Sequence, residues 1–399
     1  MSEIAAENSP IGKERFLIAT CLGMLAGIGP LCTDFYLPAL PQVAASLQAS
    51  ASEVQLSLTA SLIGIAAGQV FIGPISDMRG RRMPLLVSLT IFLITSLLCA
   101  ASGTIMELVV WRFMQGIAGA GGIVLSRAIA CDLYSGSDLT EFFSLLMLIN
   151  GIAPILSPVA GGQILKFTDW SGIFIVLSVL SLVIFTFAWF GVKESLPVER
   201  RKSGGIKGML LAFGHLFQDK RFTAYALVHS FIIGGLFGYI AASPFVLQGL
   251  YGLSAENFSL CFAVNGIGIM IAAQLTGKMS GRFGEKCLLK FGLTLALVAS
   301  LAILFVSYFK ISEIWSIVVP LFIMVSCIGI TTTTSFALAI QTQRNAAGSA
   351  SGLLGVIAFL FGAIASPLVG IGGGASAVPM GIVLVSTNLI AFLINQKMK

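Results

Sequence analysis

Charge is what this sequence has least of. Only 10% of its 399 residues are Asp, Glu, Lys or Arg, and 57% are hydrophobic. An ordinary soluble domain carries about 25% charged residues. Mean hydropathy is +0.98, which excludes a soluble core and points to an integral membrane protein. Histidine is nearly absent: His215 and His229 are the two, too few for a ligand cluster or a catalytic triad, so an enzyme is not expected. The seven cysteines (Cys21, Cys32, Cys99, Cys131, Cys261, Cys287 and Cys327) stand singly, with no C-x-x-C pair. That spacing argues against a metal site or disulfide framework, and they read as small buried hydrophobes. No folded soluble domain of the kind a receptor or scaffold needs is evident.

What the chain has in abundance is long apolar runs. At about 1.5 Å per residue, some 20 residues cross a bilayer. Twelve runs qualify: 16–40, 53–76, 83–103, 106–128, 140–165, 170–192, 222–247, 256–277, 287–308, 315–339, 349–371 and 377–395. The polar Met1–Arg15 precedes a run too long for the core of a cleaved leader, so a retained first span is expected. Of the 23 Lys and Arg, twenty fall in the tails and loops on one side of this layout. Lys166 and Lys310 fall on the other side, and Arg112 lies within a span. The positive-inside rule then places both termini in the cytoplasm. It also explains the +6 charge without a nucleic-acid partner.

The longest segment between spans is 193–221, which is basic and holds Pro197, Gly204 and Gly205. It reads as a cytoplasmic linker between six-helix halves at 1–192 and 222–399. The halves repeat. The second span ends Gly73-Pro-Ile-Ser-Asp-Met-Arg-Gly-Arg-Arg82, and the eighth ends Gly277-Lys-Met-Ser-Gly-Arg-Phe-Gly-Glu-Lys286, 204 residues on. A repeat of six helices is a transporter plan with the substrate near the midplane between the halves.

Three stretches carry candidate chemistry. In the loop Gly73–Arg82, Gly73 and Gly80 allow a tight turn and close helix approach, and Asp77 can pair with Arg79, Arg81 or Arg82 or cap a neighbouring helix. The first span holds Asp34, in Leu31-Cys-Thr-Asp-Phe-Tyr-Leu-Pro-Ala-Leu-Pro41. The fourth holds Arg112, in Val110-Trp-Arg-Phe-Met-Gln-Gly-Ile-Ala-Gly-Ala-Gly-Gly122, with Gln115 one turn on. A charge inside a span costs about 2.5–3.5 kcal/mol on insertion scales, so each needs a partner, water or a function. Both fall in the outer half of the bilayer, and each is the expected partner of the other. The fifth span, Asn150-Gly-Ile-Ala-Pro-Ile-Leu-Ser-Pro-Val-Ala-Gly-Gly162, is kinked and thinned by Pro154, Pro158, Gly161 and Gly162.

These motifs resemble the major facilitator superfamily. Gly73–Arg82 looks like its G-x-x-x-D-x-x-G-R-R/K signature loop, although the second copy has Gly281 at the acidic position. Arg112-x-x-Gln115-Gly116 is similar to its fourth-helix motif, associated with proton coupling. Pro158–Gly162 resembles the G-P-x-x-G-G antiporter motif of the drug/proton branch, with Ser157 in place of its first glycine. The Asp34 stretch, Arg127–Tyr134 (with Asp132) and Lys193-Glu-Ser-Leu-Pro197 look like the Bcr/CflA branch. The resemblance implies an all-α, twelve-helix fold and proton-driven export of small amphipathic or lipophilic antibiotics of amphenicol, bicyclomycin or sulfonamide type. It implies no cofactor beyond the proton motive force, a monomer in lipid, and the bacterial cytoplasmic membrane. An importer, or an exporter of an endogenous metabolite, is the alternative.

Asp34 and Arg112 are the expected proton-coupling residues. Asp34, Tyr36, Gln115, Asn150, Phe231, Phe237, Tyr239 and Asn265 are the expected substrate contacts. Gly73, Asp77, Gly80, Arg81, Arg82, Asp132, Pro154, Pro158, Gly161 and Gly162 are the expected gating set. His229 reads as a packed helix residue.

Overall fold

The computed structural model describes residues 13–134, 152–201, 205–343, 346–372 and 376–398. Among them every regular element is helical. The N-terminal helices are α1 (Lys13–Ala26), α2 (Ile28–Thr33), a 3-10 turn (Leu37–Ala39), α3 (Leu40–Ser46), α4 (Ala51–Arg79), α5 (Arg82–Ala100), α6 (Ile105–Leu133), α7 (Ile152–Ile164) and α8 (Trp170–Gly191). Then come α9 (Gly205–Gln218), α10 (Lys220–Pro244), α11 (Ala255–Phe283), α12 (Glu285–Tyr308), α13 (Ile314–Thr342), α14 (Ala347–Leu368) and α15 (Val378–Lys397). Among the described residues, ten helices are long and apolar enough to cross a membrane. The bent pair Thr20–Ala26 and Ile28–Ser46 makes an eleventh span, and α7 is the described part of the fifth expected one.

Two elements differ from the sequence reading. The first span is not continuous. It bends by 43° at Gly27 and passes through the 3-10 turn before Leu40. Pro30, Pro38 and Pro41 each lack an N–H donor, which a straight helix cannot absorb three times in twelve residues. The linker also contains a helix, α9, whose Phe213 and Leu216 are buried against the bundle. Residues 213 and 216 share a helix face, and a three-residue spacing of large apolar groups is a helical signal.

Polar caps fix where the spans begin. Ser50 and Glu53 form a reciprocal capping box on α4, with Ser50 N donating to Glu53 Oε2 at 2.7 Å. Thr104, Asp169, Asp219 and Ser254 cap α6, α8, α10 and α11 with a side-chain oxygen, without the reciprocal bond. Each accepts a first-turn N–H that would otherwise be unpaired. The 204-residue repeat extends to these caps: Ser50 and Ser254, the helices Ala51–Arg79 and Ala255–Phe283, and the following Gly80 and Gly284 at φ +93° and +75°. Close packing comes from small residues. A Cβ on Gly64 would collide with Phe113 O, and one on Gly116 with Ser61 O, so α4 and α6 meet backbone to backbone.

The bundle has two unlike ends. One is basic, with Arg79, Arg81, Arg82, Lys278 and Arg282. The other holds Ser50, Lys166, Glu256 and Gly370. The N-terminal and C-terminal helices are bonded to each other at this second end. Ser52 Oγ donates to Gly370 O at 2.5 Å, Gln55 Nε2 to Ala241 O at 3.2 Å, and Gln248 Nε2 to Pro38 O at 3.3 Å. Lys166 Nζ pairs with Glu256 Oε2 at 2.8 Å. No hydrogen bond or ion pair among the described residues joins the spans of the two sets at the basic end, where α9 packs on α4, α10 and α14.

Candidate functional site

Arg112 is fully buried in α6. Its NH1 donates to Gln115 Oε1 at 2.5 Å and to Cys32 Sγ at 3.6 Å. Its guanidinium carbon lies 5.1 Å from the Tyr36 ring centre and 5.7 Å from that of Phe174, a cation–π cage. Gln115 Nε2 continues to Ser96 Oγ at 2.7 Å, Cys32 Sγ meets Ser61 Oγ at 3.3 Å, and Tyr36 OH meets Ser57 Oγ at 3.2 Å. Nε and NH2 of Arg112 have no partner among the described residues.

Asp34 is also buried, 6% exposed, but it does not pair with Arg112. Its Oδ1 accepts from Thr33 Oγ1 at 2.9 Å, and no cation bonds it among the described residues. The expected pair is therefore corrected by local geometry. Asp34 and Tyr36 keep near-helical backbone angles. At about 100° per residue, Cys32 and Tyr36 fall about 40° apart and both face α6, while Asp34 falls about 200° from Cys32. Depth along the membrane was matched; azimuth was not.

Asp34 instead looks across to the C-terminal helices. The 3-10 turn beside it packs on α10 and α11, the helices that carry Tyr239 and Asn265. Tyr239 accepts from Asn265 Nδ2 at 2.8 Å and stacks on Phe262 at 5.7 Å. Asp34, Tyr239 and Asn265 thus border one buried seam between the two sets of helices, while Tyr36, Gln115 and Arg112 form a separate network inside the N-terminal set. Phe237 packs on Phe359. Phe231 packs on Phe361 and lines an apolar groove of about 470 Å³ with the outward-facing Ile364 and Ile382, away from the seam. Asn150 lies outside the described residues. His229 bonds Ser335 Oγ at 3.1 Å and packs on Phe336.

The gating residues assemble at the basic end. Arg81 NH1 binds Asp77 Oδ1 at 2.6 Å and Ser76 Oγ at 2.7 Å, and Nε binds Asp132 Oδ2 at 2.9 Å. Of the partners open to Asp77, Arg81 is the one it takes. Arg82 donates to Trp189 O at 2.9 Å and lies over its ring. Glu194 completes the latch, a role that sequence reasoning did not assign to it. It accepts the backbone N–H of Arg81 at 2.7 Å and of Arg82 at 3.2 Å, at the start of α5. Partial burial pushes the Glu194 carboxyl up, but the N–H groups of Arg81, Leu196 and Arg82 and the nearby Arg201 hold it, on balance, below the usual carboxylate range. Ser195 Oγ donates to Asp132 at 3.0 Å. Acidic residues at helix starts are the sequence signal here, but nothing local says that residue 194 returns to residue 81.

Among the motif prolines and glycines, a Cβ on Gly161 would collide with Phe35 O and one on Gly162 with Ser259 Oγ, so α7 presses on both the first span and α11. Pro154 and Pro158 lie within α7. The close approach expected at Gly73 is not there: a Cβ would meet Val124 only at an ordinary contact distance of 3.8 Å. Buried Cys21, Cys32, Cys99 and Cys327 fit the expectation, but Cys131 and Cys287 are exposed. Both sit at helix ends, where a small side chain is not covered.

Buried charges, capped spans and two sets of helices meeting at a polar seam define a multi-pass membrane carrier, not an enzyme. The chain belongs to the Major Facilitator Superfamily, whose family model matches residues 16–367. It is 43% identical to the uncharacterized MFS-type transporter YdgK of Bacillus subtilis, over 97% of this chain and 96% of that one. It is 28% identical to a bicyclomycin resistance protein homolog of Haemophilus influenzae, over 97% and 98%. It is also 28% identical to multidrug resistance protein D of Escherichia coli, over 75% and 74%. The fold matches the partially occluded inward-open xylose transporter XylE of E. coli with a TM-score of 0.75 at 14% identity, covering 96% of this chain and 97% of that one.

Proposed function

We propose that this carrier is a proton-driven exporter of small amphipathic or lipophilic antibiotics in a bacterial cytoplasmic membrane. The observation that carries the reading is Asp34, a buried carboxylate with no cationic partner among the described residues, at the seam between the two sets of helices. Such a group is stable in a low-dielectric site when it binds a proton or a ligand, and the two compete. The relatives named for bicyclomycin and multidrug resistance support the substrate class.

With the basic end in the cytoplasm, the bonded end is the outer gate, and it is closed. Two six-helix halves, 1–192 and 222–399, rock about the seam, joined by 193–221. Facing outward, Asp34 takes a proton and releases substrate. Facing inward, it loses the proton and substrate binds. Each net charge moved gains about 2.3 kcal/mol per 100 mV. Arg112 braces the first span through Tyr36 and Cys32 and sets the field at Asp34 without bonding it. The protein acts as a monomer, with no cofactor.

The test is drug-induced collapse of a pH gradient in everted vesicles. Wild type should dissipate the gradient on addition of chloramphenicol, and Asp34→Asn should not while remaining in the membrane. Full drug resistance in Asp34→Asn sinks the assignment. Uptake by right-side-out vesicles in place of everted ones marks an importer.

A further inference from the structure

Helix α4 has two faces. Gly64 and Gly68 press against α6. Gln55, Thr59 and Gln69 lie about 140–180° around the helix from Gly64, on the opposite face. That face looks on α14 and the 3-10 turn that follows it (Val369–Gly372) along about 21 Å: Gln69 lies against Gly355 near one end, and Gln55 against Gly370 near the other. Gln55 also reaches α10, through Ala241 O, two residues from Tyr239.

This face is short of partners. Among the described residues, Gln55 Oε1, Thr59 Oγ1 and Gln69 Nε2 have none, nor does Ser366 Oγ, one turn before Gly370. Gln55 is 2% exposed, Thr59 7% and Ser366 0%. Buried polar atoms are almost always bonded, and each exception calls for a cause. Packing does not supply one, because apolar residues of the same size would seal the seam better. A carrier's seam is also the surface that opens to its cargo.

We propose that Gln55, Thr59 and Ser366 form a hydrogen-bonding subsite for the uncharged polar end of the substrate, its hydroxyl and amide groups. Gln55 Oε1 accepts, and the two hydroxyls accept or donate. The Tyr239–Asn265 pair borders the same seam. Apart from Asp34, which the proton requires, the described seam residues offer no charge, so the subsite suits neutral groups rather than ions. The assignment deepens the export reading and rests on it.

Chloramphenicol, which carries two hydroxyls and an amide, is the probe. Transport into everted vesicles is measured for wild type, Thr59→Val, Thr59→Ser and Ser366→Ala. Thr59→Val keeps the side-chain shape and removes the hydroxyl. One lost neutral hydrogen bond raises KM about 3–10-fold, with the maximal rate kept and Thr59→Ser restoring the wild-type KM. A simple packing defect would lower the amount of carrier without moving KM. If every variant that reaches the membrane keeps the wild-type KM, the subsite is overturned and the export reading stands. A wild type that carries no chloramphenicol overturns both.

Discussion

Arg112 lies over the ring of Tyr36, two residues past Asp34, yet donates no bond to the Asp34 carboxylate. One turn of the first span thus serves two networks, with Cys32 and Tyr36 on the α6 side and Asp34 on the seam side. The consequence is that the two charges have separable roles.

Arg112→Ala should damage folding rather than coupling alone. It leaves Gln115 Oε1 with only the weak thiol donor of Cys32 at 3.8 Å and empties a cage between Tyr36 and Phe174. A buried acceptor left unpaired costs about 1–3 kcal/mol. The thermal midpoint of the purified protein should fall, whereas Asp34→Asn should leave it unchanged or higher. Equal loss in both variants contradicts the separation.

The latch at the basic end has a pH signature. The Glu194 carboxyl is held below its ordinary value in the folded protein. Its contribution is therefore complete above the unfolded carboxylate range, near about pH 4.3, and is lost as pH falls through the lower folded value. The difference in thermal midpoint between wild type and Glu194→Gln should be largest at neutral pH and shrink in acid. A pH-independent difference rules out the charge.

Gly80 should tolerate no side chain. It has φ +93°, and a Cβ there would collide with Glu194 Oε2. With ψ 168° it lies in an extended region open essentially to glycine alone, which costs any other residue about 1–3 kcal/mol. Gly80→Ala should therefore free the latch, read as increased protease cutting after residue 194. The equivalent Gly284→Ala has open space around its Cβ and should be milder.

Lys166 and Glu256 close the far end at 2.8 Å, both sides about half exposed. Such a pair is worth at most about 1 kcal/mol, enough to bias a carrier without locking it. Glu256→Lys should increase labelling of a cysteine introduced by Thr59→Cys from that side, and Lys166→Glu with Glu256→Lys should restore closure. A disulfide between cysteines at 166 and 256 should stop transport until reduced.

The spans, the 204-residue repeat and the basic end were legible in the sequence because each rests on local periodicity or on counting charges. Asp34 and Arg112 were legible as costly, since a charge in an apolar run is expensive whatever surrounds it. Their lack of pairing was not. That depends on which way two helices rotate about their own axes, which only the packing of α4, α6 and α8 on the first span sets. Glu194 returning to Arg81 joins residues 113 positions apart, and Gln55 meets Gly370 from the other half of the chain. Sequence alone determined a membrane carrier with one deep acid. The tertiary structure decided what that acid faces, because azimuth and long-range contact come from packing and not from spacing.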